Sequence, residues 1–339
     1  MHSSWHKLKW PLIALFAALL YHVAYRLWTA PPTEFFHAGF FNFTVRDGRL
    51  YGSVIDILNR AAPVMLLSLG MTLVIATGGV DLSVGAVMAI TGATAALLLT
   101  KTSLGVPSVI LISLAVAIIA GIWNGALVGL FKVPPIVATL ILMVSGRGIA
   151  QLLTDGQIIT FENKSFEFIG RGAFVGLPFT LTLVLVVWLV LTLLKSRTAL
   201  GLFIECTGDN ETASRYSGVN TNLVKLAVYS TCSFCAGIAG LIATTDIKAA
   251  DSNNVGLWLE LDAILATVIG GTALTGGRFF LAGSLIGAIL IQTLTTTILT
   301  RGVAVELTLV VKAVVVILVC LLQSEKFRAT VWKRKAVVS

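Results

Sequence analysis

Gly70-Met71-Thr72-Leu73-Val74-Ile75-Ala76-Thr77-Gly78-Gly79-Val80-Asp81-Leu82-Ser83-Val84-Gly85-Ala86 sets one carboxylate and several glycines between two uncharged runs long enough to cross a bilayer. Loosened backbone and an ionised side chain are costly in lipid. They persist where protein or a water-filled path surrounds them. The stretch therefore points to a chain that moves something across a membrane, not one that merely sits in it.

The composition agrees. The chain has 339 residues, 57% hydrophobic and 12% charged, with a mean hydropathy of +0.94. Soluble domains carry about a quarter charged residues, so this chain is not a water-soluble monomer. Its formal charge of +8 comes from basic residues scattered between apolar runs, without a basic face. That excludes nucleic acid as a partner and fits the Lys and Arg excess of cytoplasmic loops.

A helix needs about 20 residues to cross the hydrocarbon core. Uncharged runs occur at 11–25, 63–80, 82–100, 104–131, 172–194, 226–245, 263–277 and 279–300; two more, 133–154 and 307–323, hold Arg147 and Lys312 respectively. The expected fold is an all-α polytopic membrane protein of about ten transmembrane helices, a single domain over 1–339. Ten spans put both termini on one side. With the N-terminus inside, thirteen of the 24 basic residues fall on inner segments and nine on outer ones. The positive-inside rule then places residues 1–10, the 195–225 loop and the basic 324–339 tail in the cytoplasm. Spans two to five and seven to ten, offset by five, allow an inverted repeat, with glycine breaks at 78–85 and 270–277.

Several chemistries are disfavoured. The chain has no Gly-Lys dipeptide and hence no phosphate-cradling loop, so it is not expected to hydrolyse ATP itself. Its four His lie at 2, 6, 22 and 37, without a Cys/His ligand cluster, and no metal site is expected. Cys232 and Cys235 form a C-x-x-C inside an apolar run, where small buried helix residues are the better reading. Nine polar groups lie within or beside spans: Asp81, Ser83, Asn124, Arg147, Gln151, Glu260, Asp262, Gln292 and Lys312. For any one of them a structural ion pair or interhelical hydrogen bond outranks cargo contact; for the set, a polar central path is favoured. Asp81, Ser83, Asn124, Arg147, Glu260 and Asp262 are the candidates for path or gate, with Asp81 expected to pair with Arg147. Gly121, Gly125 and Gly129, like Gly283 and Gly287, recur every four residues and read as close helix contacts within the chain. In the 195–225 loop, Asp209 is the expected cap of a short helix, Glu211 and Arg215 form an i, i+4 pair, and Gly218 stops it. These residues alone leave a solvated connector ahead of a docking helix.

The stretch 70–85 resembles the most characteristic motif of the ribose/xylose-type branch of ABC sugar-import permeases. So do Gly256-Leu257-Trp258-Leu259-Glu260-Leu261-Asp262-Ala263-Ile264, with the run 268–277 behind it, and the loop holding Gly208, Asn210, Ala213, Ser217, Gly218 and Val219. The resemblance covers about 52–323. Stretches 55–64 and 138–148 are similar to the galactofuranose-carrying members, from whose pattern Val80, Thr272 and Cys206 depart. The resemblance implies a non-enzymatic permease subunit in a bacterial inner membrane, bathed in lipid, with galactofuranose as its cargo. It implies a cytoplasmic ABC ATPase that binds the ATP and magnesium, a second permease paired as a heterodimer, and a periplasmic sugar-binding protein. No cofactor is expected on this chain. It makes the 208–218 segment a coupling helix, with Gly208, Asp209, Asn210, Ala213, Arg215 and Gly218 as the contact set. An ion-gradient carrier with Asp81 or Glu260 as ion site, and a membrane enzyme using the carboxylates as acid and base, are the rival readings.

Overall fold

The computed structural model describes residues 12–17, 20, 44–46, 49–299, 310–314, 317 and 321. The expected first and tenth spans fall mostly outside these residues, as do the 1–10 and 324–339 segments and Cys320. Among the described residues seven helices are long and apolar enough to cross a membrane: α1 Ser53–Ala76, α2 Val84–Lys101, α3 Val106–Gly129, α4 Pro135–Leu153, α6 Phe179–Arg197, α9 Thr221–Ile247 and α11 Leu281–Leu299. Shorter helices are α5 Lys164–Arg171, α7 Ala199–Asp209, α8 Glu211–Tyr216 and α10 Leu259–Ile269. Three short antiparallel pairs tie the connections: β1 Thr44–Arg46 with β2 Arg49–Tyr51, β3 Ile159–Thr160 with β6 Ala249–Ala250, and β4 Ala173–Phe174 with β5 Leu177–Pro178.

Two helices depart from the expected spans. α1 begins ten residues before Pro63, with Asp56 in its first turn, where a carboxylate suits the unpaired N–H groups. The run 263–277 is helical only to Ile269. Eleven residues rise about 16 Å, half a membrane, so α10 is a half-helix. The first glycine break follows span two and the second follows span eight, so the breaks do not correspond under the offset of five.

α1 and α9 form the centre. Every residue of α1 from Ala61 to Ala76 is buried except Pro63, as expected of a helix that is apolar all round. α9 packs against α1, α2 and α3. By contrast α3, α4 and α6 expose Leu111, Ile119, Val144 and Leu189, the side chains of a lipid-facing rim. Hydroxyls knit α1 to α10 and α11: Thr72 Oγ1 lies 2.6 Å from Ser284 Oγ, and Thr267 Oγ1 donates to the Ser68 carbonyl at 3.3 Å.

The glycine ladder on α3 packs within the chain. A Cβ at Gly121 would lie 2.7 Å from the Ser230 Cα, one at Gly125 2.7 Å from the Leu226 Cα, and one at Gly129 3.0 Å from the Asn222 carbonyl, all on α9. Gly283 and Gly287 approach Gly270 and Ala266 in the same way. Gly125→Leu is therefore expected to lower stability by about 1–3 kcal/mol through overpacking. Gly148→Ala, with open space beside it, leaves the melting temperature level or slightly raised. Thermal melts in detergent check the pair.

Candidate functional site

α1 stops because Gly78 turns the chain with φ +76°, and 77–83 run without helix before α2 starts. Asp81 organises that start. Its Oδ1 accepts from the Ser83 N–H at 2.9 Å and the Ser83 Oγ at 2.6 Å. Asn124 Nδ2, from α3, donates to Ser83 Oγ at 2.8 Å and to Asp81 Oδ1 at 3.5 Å. All three residues are fully buried. The sequence-predicted trio of Asp81, Ser83 and Asn124 is thus one cluster, anchoring a carboxylate at the amino end of α2. Asn124 Oδ1 and the Tyr229 hydroxyl have no hydrogen-bond partner among the described residues. Tyr229 and Cys232 of α9 flank the carboxylate; Cys232 is buried within its helix as expected, and sequence reasoning missed Tyr229. The only signal for Tyr229 was a polar aromatic in an apolar run.

Arg147 does not belong to this cluster, and the expected Asp81–Arg147 pair is absent. Its Nη1 donates to the Ser252 carbonyl at 3.0 Å and the Val255 carbonyl at 2.7 Å. These carbonyls belong to 251–258, an irregular segment between β6 and α10. Backbone groups outside a helix need partners at membrane depth, and the guanidinium supplies two bonds from one nitrogen. Thr154 and Ser252 hydroxyls, 2.8 Å apart, and Gln151 Nε2 to Asn253 Oδ1, 2.7 Å, hold the same segment to α4. Glu260 is buried beside Gly85: a Cβ there would lie 2.7 Å from Glu260 Oε2 and 2.3 Å from the Gly256 carbonyl. Asp262 is joined to Lys312 at 2.8 Å, so these two intramembrane charges neutralise each other.

The end of the bundle where α1 stops carries the 195–225 segment. It is helical for most of its length, not a loop: α7 buries Gly201, Ile204 and Thr207. Asn210, not Asp209, caps α8, its Oδ1 accepting from the Ala213 N–H at 2.9 Å. Asp209 ends α7 exposed. Gly218, with φ +87°, closes the turn after α8. Gly208 is wedged between the two broken helices. A Cβ there would lie 1.8 Å from the Ala76 carbonyl and 2.5 Å from the Gly277 nitrogen; one at Gly276 would lie 2.8 Å from the Gly208 carbonyl. The Gly277 N–H donates to the Ala76 carbonyl at 2.9 Å. The ends of α1, α7 and the 270–280 break therefore meet in one junction.

Glu211 fastens α8 to its surroundings. It pairs with Arg215, with Lys225 at 2.6 Å and with Lys132 at 3.5 Å; Arg215 Nε donates to Thr221 Oγ1 at 2.7 Å. Partial burial pushes the Glu211 pKa up, but the Lys225 hydrogen bond and the charges of Lys225, Lys132 and Arg215 outweigh it and hold it at about 2. A carboxyl depressed on folding stabilises above its unfolded pKa and loses that contribution as pH falls toward the folded one. Glu211→Gln is therefore expected to lower the melting temperature by a constant amount at pH 5–8 (roughly the range above an unfolded Glu). The difference should shrink progressively below it. With a third of the side chain exposed, the effect is modest and salt-sensitive.

A cavity of about 690 Å³ lies between α3, α6 and α9, lined by Leu114, Phe179, Val187, Leu191, Phe234 and Ile238 among others, with Thr231 as its polar residue. It offers a polar cargo almost no hydrogen bonds.

The chain matches, over residues 53–320, the family described as branched-chain amino acid transport system / permease component. It is 53% identical over 288 residues to the galactofuranose transporter permease protein YtfT of Escherichia coli strain K12, covering 85% of this chain and 84% of that one. It is 41% identical over 283 residues to the fructose import permease protein FruF of Bifidobacterium longum strain NCC 2705, covering 82% and 79%. With the ribose import permease protein RbsC of Escherichia coli strain K12 it shares 36% identity over 282 residues, 81% and 86% of the two chains.

Proposed function

The chain belongs to the branched-chain amino acid transport system / permease component family, and from that premise we propose that it carries galactofuranose inward across a bacterial inner membrane. It is a permease subunit of a sugar-importing ABC transporter. A cytoplasmic ATPase that binds ATP and magnesium supplies the power, a periplasmic binding protein delivers the sugar, and a second permease completes the path. The sugar crosses without chemical change.

The observation that carries this reading is the junction of Gly208, Ala76 and Gly276–Gly277. A protein gripping α8 would move Gly208, and through it both broken helices. One of these leads to the Asp81 cluster and the other to the Glu260 half-helix. Lys132, Arg215 and Lys225 gather at that end, which supports its cytoplasmic placement. Exposed Tyr216 and Phe131 give a partner apolar anchors there.

The test is uptake by vesicles holding the chain with its ATPase, second permease and binding protein. ATP-dependent accumulation of galactofuranose, outcompeting galactopyranose and ribose, is the expected result. Transport by this chain alone on an ion gradient would overturn the ATPase-driven reading, and equal competition by ribose would overturn the choice of sugar.

A further inference from the structure

α6 stands apart from two of its neighbours. It packs on α1 and α5, while the cavity of about 690 Å³ separates it from α3 and α9. The cavity follows one face of α6: Leu183, Val186, Val187, Val190, Leu191 and Leu194 recur every three or four residues along it. From Phe179 to Leu194 that face is about 22 Å long. Val186 and Val190 are half exposed, so the slot opens sideways to the bilayer.

A gap this large does not stay empty among close-packed helices, and an apolar cavity stays dry. The hydroxyl among its lining residues, on Thr231, already donates to the Ala227 carbonyl at 2.8 Å, so no polar partner is called for. A helix is too bulky to be the occupant. With side chains it is about 10 Å across, and about 22 Å of it would take up roughly 1,700 Å³, more than twice the space. A lipid tail is as apolar as leucine. It reaches about 15 Å from the edge of the hydrocarbon core to the midplane, most of the length of the slot.

The end of the slot near Leu194 is basic. The next position on the lining face is Arg197, exposed in the last turn of α6. Lys195 lies over the Phe279 ring, 3.8 Å from its centre, and pairs with Glu205 at 3.2 Å. That contact brings Arg278, also exposed, to the same end. Neither arginine has a hydrogen bond or ion pair among the described residues. A guanidinium holds phosphate oxygens through two parallel bonds, and basic pockets between membrane helices suit anionic headgroups. We propose that the slot is a site for one anionic phospholipid, with an acyl chain along α6 and the headgroup phosphate at Arg197 and Arg278. The site does not depend on the cargo; its leaflet, the inner one, rests on the cytoplasmic end proposed above.

The test uses the complex with its ATPase and second permease, stripped of lipid in detergent and given phosphatidylglycerol or phosphatidylcholine. Native mass spectrometry is expected to show phosphatidylglycerol retained about tenfold over phosphatidylcholine. Arg197→Gln combined with Arg278→Gln should erase that preference. Val187→Trp, which fills the slot, should cut retention of both lipids about tenfold. If Val187→Trp does not assemble, the arginine pair decides alone. An unchanged preference in the arginine variant overturns the proposal. A disulfide from Val190→Cys to a cysteine placed within 11–25, or to the second permease, also overturns it by giving the slot a protein occupant. Suppose the preference holds while Arg197→Cys is labelled from outside intact cells by a membrane-impermeant thiol reagent. The lipid site then stands, and the cytoplasmic placement of this end falls.

Discussion

Gly208→Val abolishes ATP-driven uptake, whereas Gly156→Ala leaves most of it; this is the expected result with the largest effect. At 208 even a Cβ would lie 1.8 Å from the Ala76 carbonyl and 2.5 Å from the Gly277 nitrogen, both backbone atoms. Neither can swing aside as a side chain would, so α7 has to withdraw from the broken ends of α1 and the 270–280 segment. The loss is at least about tenfold, the factor that about 1.4 kcal/mol of coupling gives. Gly208→Ala falls in the same direction. Gly156 separates two roles of glycine: it has φ +69° but open space, so alanine there strains only a turn. Uptake and ATP hydrolysis, measured together per assembled transporter, check the pair. If Gly208→Val imports at the rate of the unaltered protein, the junction does not transmit movement.

That junction shows what was and was not legible in the sequence. Each of its three glycine segments stood out as a motif, and the long apolar runs between them matched helices because hydrophobic length is a local property. Their convergence is not local: Ala76, Gly208 and Gly277 are far apart in the chain, and spacing carries no information on which breaks share an end of the bundle. α7 was overlooked for a related reason. Its buried positions Gly201, Ile204 and Thr207 recur every three residues, but a small and a hydroxyl residue leave no strong apolar stripe. The capping error, Asp209 for Asn210, is one residue in a run where both types cap well. The run 263–277 looked like a span because it is free of charge; what ends α10 is the turn at Gly270 and Gly271, which a count of uncharged residues does not register.

Arg147 is the case in which charge pairing misled. Two opposite intramembrane charges suggested a bond, and the structure instead gives each a set of neutral hydrogen-bond partners. Arg147→Met is therefore expected to remove uptake and lower the melting temperature by several degrees. It orphans the Ser252 and Val255 carbonyls, each costing about 1–3 kcal/mol when buried without a partner. It also strips the counter-charge that acts on the Glu260 carboxylate, and an unpaired charge in a buried site is more costly than the pair. Arg147→Lys restores only part, because a flexible point charge replaces a planar fork. Adding Glu260→Gln to Arg147→Met should recover stability beyond additivity, since the two groups are coupled. The exchange of Asp81 for Arg and Arg147 for Asp should fail: it leaves the arginine among Ser83 and Asn124, and the carboxylate against two carbonyl oxygens. Melting curves and uptake on the four variants decide the matter. Full rescue by the charge exchange would show that the two residues pair in the working transporter and that the 251–258 segment is held by something else.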